Sequence, residues 1–111
     1  TECVNFAEEQ AKKFGLRAPM VGHLGDGNFH VLLPFDPKNK DMYKKIREFN
    51  DLLIKKGLEL NGTITGEHGV GLHKKEYLLE EHADSIPLMK LIKRSIDQNN
   101  IMNPGKIFDL N

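Results

Sequence analysis

The sequence predicts an α+β fold in which an antiparallel sheet carries helices on one face. Three observations carry that prediction. Asp26-Gly27 sits between short apolar runs, which is a strong β-hairpin signal. Before it, Val4, Ala7, Ala11 and Phe14 recur at helical spacing; after it, Met42, Ile46, Phe49 and Leu53 do the same.

Each element follows in order. The first helix runs to Phe14, and Gly15 ends it, as glycine does where a chain turns into the left-handed region. Strand, hairpin and strand occupy about residues 16–34, until Pro34 and Pro37 break the pattern. A charged connection over 36–41 leads into a long amphipathic helix reaching about residue 60, with Lys44, Lys45, Arg47 and Lys55 on or near its wet side. A glycine-rich loop, a short helix over 72–80 and a last helix from near Pro87 to Ile96 complete the chain. Asn99, Asn100, Asn103 and Gly105 then form a terminal turn. Met20, Met42, Met89 and Met102 read as adaptable core fillers. No repeat, low-complexity tract or linker interrupts residues 1–111, which read as a single domain.

The hairpin holds the most informative residues. A type I′ turn centred on Asp26 and Gly27 sets Leu24 opposite Phe29 and His23 opposite His30. Strand alternation then puts both imidazoles on one face. Opposed Cβ atoms lie about 4.5–5.5 Å apart, close enough for two imidazoles to converge on a metal ion. An ordinary cross-strand pair is the bland alternative. Catalytic zinc has three protein ligands and an open position, so a third ligand is required.

Gly62-Thr63-Ile64-Thr65-Gly66-Glu67-His68-Gly69-Val70-Gly71 offers one. Four glycines in ten residues let the backbone bend sharply and approach a ligand. Within the loop, Glu67 is an acceptor-only carboxylate and His68 a titratable imidazole. Neighbours in a loop can point apart, one to metal and one to substrate. The alternative is a loop leading into a helix, with Glu67 favoured near the helix N-terminus.

Gly-His-Leu-Gly-Asp-Gly-Asn-Phe-His over 22–30, the loop over 62–71 and Asn-Pro-Gly-Lys over 103–106 occur in that order. Together they resemble the C-terminal part of FAD-linked oxidases of the vanillyl-alcohol oxidase type. Within that group the chain is most similar to D-lactate dehydrogenase, the FAD subunit of glycolate oxidase and D-2-hydroxyglutarate dehydrogenase. The resemblance spans about residues 20–108. It implies that His23, His30 and Glu67 hold a divalent metal, zinc or manganese. His68 matches the base that takes the substrate's hydroxyl proton, and Asn103 falls in the segment returning toward the flavin. It further implies FAD, bound mainly by a separate N-terminal flavin domain, and a cap domain whose ferredoxin-like fold this chain covers in its second half. One departure is informative. D-2-hydroxyglutarate dehydrogenase carries Asn two residues after the second histidine, where this chain has Leu32. Leu32 lies on the histidine face by alternation and disfavours a second carboxylate, which points to lactate or glycolate.

The chemistry suits these residue types. Metal held by such ligands acts on a 2-hydroxy acid as Lewis acid and template. An imidazole, with a reference pKa of about 6.5, suits general-base work near neutrality. Hydride must pass to a cofactor, since no side chain accepts one. With no Gly-x-Gly-x-x-Gly signal and Thr1 opening the chain, the sequence reads as a fragment of a longer oxidase, inactive alone.

Composition narrows the partners. Sixteen basic and sixteen acidic residues argue against nucleic acid, whose phosphates need a basic surface. No apolar run approaches the roughly 20 residues of a transmembrane helix. Cys3 as the one cysteine excludes an internal disulfide and fits a reducing compartment, so a cytoplasmic setting is expected, with an organellar or membrane-associated parent also open. Two strands alone are marginal in water, so the fragment is expected to pair a strand edge with a second copy as a homodimer. His73 and His82 lie among charged residues and read as surface positions. Lys74 and Lys75 read as solvated, with a substrate carboxylate as the other possibility. Two further functions use the same ligands: a flavin-free zinc hydrolase, and a non-catalytic metal-stabilised module.

Overall fold

The computed structural model describes residues 1–110, the side chain of Leu24 excepted. Helices α1 (Glu2–Phe14), α2 (Lys40–Glu59), α3 (Lys75–His82) and α4 (Ile86–Ile96) accompany two antiparallel strands, β1 (Met20–His23) and β2 (Asn28–Val31). The class is therefore α+β. A two-stranded sheet does not by itself define the ferredoxin-like arrangement. The chain divides into two compact units, Thr1–Gly62 and Thr63–Asn111.

In the first unit, the predicted stripe folds α1 onto α2. Ala7, Ala11 and Phe49 are buried, Phe49 to 1% exposure, and the Phe14 ring meets Phe49 edge-on with centroids 6.4 Å apart. Gly15 ends α1 at φ 65°, with its N–H on Lys12 O and the Leu16 N–H on Ala11 O, the paired bonds of a Schellman cap. Asn39 opens α2 by accepting the Met42 N–H at 3.0 Å. Asn61, at φ 57°, closes it, and Gly62 N–H reaches back to Gly57 O at 2.8 Å. A Cβ at Gly62 would stand 2.9 Å from that oxygen, so the glycine permits the chain to fold over the helix end.

The hairpin covers this core with one face. Met20, Phe29 and Val31 pack against the buried residues, so α1 and α2 lie on one side of the sheet. The ladder is shorter than residues 16–34. Pro19 has no N–H to donate and contributes only its carbonyl, which accepts from Leu32 at 2.9 Å, so pairing ends there.

The register also differs from the expected one. His23 pairs with Asn28, Gly22 with Phe29 and Val21 with His30. Gly27 alone in the turn has positive φ, at 71°, and Leu24–Asp26 form a single 3₁₀ turn. The loop therefore has four residues, 24–27, and the partners shift by two. Gly22 opposes Phe29 in place of Leu24, whose side chain lies outside the described residues. The strands come close at this point: a Cβ on Gly22 would lie 2.5 Å from both Phe29 Cα and Asn28 O. Because the slip is even, the faces survive.

In the second unit, Ile64, Leu78 and Ile86 are buried. Helix α3 begins later than predicted because Gly71, at φ 57°, is outside the helical region and turns occupy 71–74. Pro87 stands in the first turn of α4, where its missing N–H costs nothing. Asp97 ends α4 and fixes the start of the terminal segment. Its carboxylate accepts the Ile101 and Met102 N–H groups, each at 2.9 Å, and pairs with Lys93. Met102 itself is exposed rather than a core filler. No helix among the described residues is long and apolar enough to cross a membrane.

Candidate metal centre

Strand register decides what the hairpin histidines can do together. His23 and His30 are diagonal neighbours on one face, not directly opposed, because Asn28 and Val21 take the opposed positions. Diagonal neighbours lie about 7–8 Å apart, their Cβ atoms somewhat closer. That separation leaves room for an ion between two rings, each about 2.0–2.1 Å from it. Val21 and Leu32 share the face and are 54% and 50% exposed, so the imidazoles stand among apolar side chains. Val21 shares this face in either register, and the observed pairing sets it directly opposite His30.

Glu67 and His68 lie in the second unit. Gly66 O accepts the Gly69 N–H at 3.1 Å, making Glu67 and His68 the central residues of a tight turn. Gly69 follows at φ 71°. Both side chains are well exposed, and His68 Nε2 approaches Glu67 Oε1 to 3.4 Å. The two side chains thus converge rather than diverge. At that distance the contact is electrostatic rather than a short hydrogen bond.

The loop around this turn is fixed by partners that sequence reasoning passed over. Lys74 Nζ donates to Ile64 O at 3.1 Å, and Glu81 Oε2 accepts the Ile64 N–H at 3.0 Å. Lys75 binds both carboxylate oxygens of Asp109 at 2.8 Å. Neither lysine is simply solvated. The available signal was the seven-residue spacing of Lys74 and Glu81, which puts them on one helical face two turns apart. His73 is exposed as expected, whereas His82 is half-buried with Nε2 3.3 Å from Glu81 Oε1.

Asn103 lies in the terminal turn at φ 49°, a conformation asparagine tolerates better than most residues. With Lys93, Met102, Lys106 and Phe108 it lines a cavity of about 210 Å³.

Two imidazole nitrogens and a carboxylate oxygen form a donor set that suits zinc, manganese or ferrous iron. The shared face of His23 and His30 supplies two such nitrogens, and the exposed Glu67 separately supplies a carboxylate.

Comparison with known proteins agrees in extent and kind. Residues 1–107 match the family described as FAD linked oxidases, C-terminal domain. A zebrafish protein named probable mitochondrial D-lactate dehydrogenase is 44% identical over 96 residues, covering 86% of this chain and 19% of its own length. An Arabidopsis thaliana protein named mitochondrial D-lactate dehydrogenase [cytochrome] is 36% identical over 107 residues, 96% of this chain and 19% of its own. The glycolate oxidase subunit GlcD of Bacillus subtilis is 41% identical over 99 residues, 88% of this chain and 21% of its own. The chain spans about a fifth of the length of these relatives. With the histidine hairpin, the Glu67–His68 turn and Asn103 all inside the matched residues, the chain belongs to the FAD linked oxidases, C-terminal domain family.

Proposed function

We propose that this chain is the metal- and substrate-handling part of an FAD-dependent 2-hydroxy-acid dehydrogenase of the D-lactate or glycolate type. The observation that carries the reading is the pair of imidazoles on one face of the hairpin, within a family whose relatives are named for these substrates. His23, His30 and Glu67 hold the divalent metal, zinc or manganese, and Asn103 faces the flavin, which is bound mainly by another domain of the parent chain. When bound, the metal supplies Lewis-acid polarisation of the hydroxy acid and the flavin supplies the hydride acceptor.

This chain's own residues then orient substrate and move the proton. A ring nitrogen of His68, 3.4 Å from the Glu67 carboxylate, accepts the hydroxyl proton as the hydride leaves the carbon that bears the hydroxyl. Val21 and Leu32 give the histidine face an apolar border. That border accommodates a methyl group or hydrogen more readily than a second carboxylate, which would be left unpaired. Two of the three relatives described above are named mitochondrial, and an organellar parent accords with that.

The proposal extends to assembly. The outer edges of β1 and β2 pair with no further strand among the described residues, and a second copy is the partner expected for the isolated chain.

His68→Gln in the natural full-length chain tests the chemistry. Loss of a general base lowers kcat on D-lactate or glycolate by about 10²–10⁴-fold while metal content stays unchanged. An unchanged kcat contradicts the assignment.

A further inference from the structure

The turn bearing Glu67 and His68 is exposed and rich in glycine, so something else must hold it in place. Ile64 is where it is held. Its side chain is buried, and both of its backbone polar groups are taken by charged side chains of a single helical segment. Lys74 Nζ grips the carbonyl at 3.1 Å and Glu81 Oε2 the N–H at 3.0 Å. The Glu81 side chain is only 12% exposed, and its second oxygen, Oε1, faces His82 Nε2 at 3.3 Å. A carboxylate removed from water in this way needs partners, and Ile64 and His82 supply them. Charge-assisted bonds of this kind are about twice as strong as neutral ones. At the far end, Gly71 O accepts the Ile107 N–H at 2.8 Å. The loop is therefore pinned on both sides of the turn.

We propose that Lys74 and Glu81 are positioning residues that set the Glu67–His68 pair through the Ile64 backbone. The proposal rests on reading Glu67 as a metal ligand and His68 as the base. Mobile glycine peptides would otherwise spread the carboxylate and imidazole over many positions, and both metal binding and proton transfer need one. Supporting residues of this type typically contribute about 10–100-fold to metal affinity or activity.

The test uses the natural full-length chain with Lys74→Met and Glu81→Leu, set against the conservative Lys74→Arg and Glu81→Gln. Glutamine keeps an oxygen able to accept the Ile64 N–H; leucine does not. Three quantities are read: amide exchange at Ile64 and Gly69 without metal, affinity for Zn²⁺ and Mn²⁺, and kcat and KM on D-lactate. Lys74→Met and Glu81→Leu are expected to speed exchange at both amides and to weaken metal binding by about 10–100-fold. They should lower kcat more than they raise KM, while the conservative variants recover most of the loss. Wild-type metal affinity and kcat despite faster Ile64 exchange would overturn the proposal. So would equal losses in the conservative and disruptive variants, which would mark a purely structural role. If Glu81→Leu does not fold, Lys74→Met decides by the same readouts. Glu67→Gln and His68→Gln are measured in parallel. If these are impaired while the Lys74 and Glu81 variants are wild-type, the positioning role alone fails. If Glu67→Gln and His68→Gln are themselves unimpaired, the functional reading fails.

Discussion

Gly22 shows how much one missing side chain can decide. Its hydrogen faces Phe29 Cα and Asn28 O, and any Cβ would come within 2.5 Å of both, far inside contact distance. The nearest atoms are backbone and cannot rotate away. Gly22→Ala is therefore expected to destabilise the first unit by about 1–3 kcal/mol through overpacking, measured by urea unfolding. A wild-type midpoint would show that the strands separate freely there. The residue pattern made Gly22 visible only as part of a motif. Its role depends on the register, and register turns on whether Asp26 adopts positive φ. Gly27 alone does so, so the local Asp-Gly signal located the turn and misplaced its partners.

Helix ends were the most legible elements, because capping is local chemistry. Gly15 follows the last residue of α1, and Pro87 falls in the first turn of α4, both as their side-chain chemistry requires. Partners distant in sequence were not legible: Lys74 and Glu81 on Ile64, or Lys75 on Asp109. Asp97, at the end of α4, makes a pH prediction. Its hydrogen bond from Lys93 holds the carboxyl below the ordinary carboxylate range, helped by the Met102 and Ile101 N–H groups and opposed by burial. A carboxyl lowered in the fold contributes stability that is complete above its unfolded value, about 3.9, and lost as pH falls through the lower folded value. Melting temperature should therefore drop below about pH 4. Asp97→Asn should melt lower at neutral pH and decline less steeply in acid. A variant that keeps the wild-type acid slope would remove Asp97 from this account.

At the scale of the whole molecule, the α+β class and the helix-covered hairpin follow from periodicity, since Ala7, Ala11 and Phe49 lie on the predicted stripes. The proposed metal ligands come from segments far apart in the chain, His23 and His30 on the hairpin and Glu67 in the glycine loop. No local pattern joins them, and the family resemblance supplied the set. The isolated chain is expected to be dimeric by light scattering at high concentration, with a monomer contradicting edge pairing. The central claim is a metal held by His23, His30 and Glu67, and elemental analysis tests it most directly. The natural full-length chain, purified without chelator, should carry about one zinc or manganese per chain, and His30→Ala should lose it. Equal metal in both proteins, or none in either after reloading with each ion, would contradict the claim.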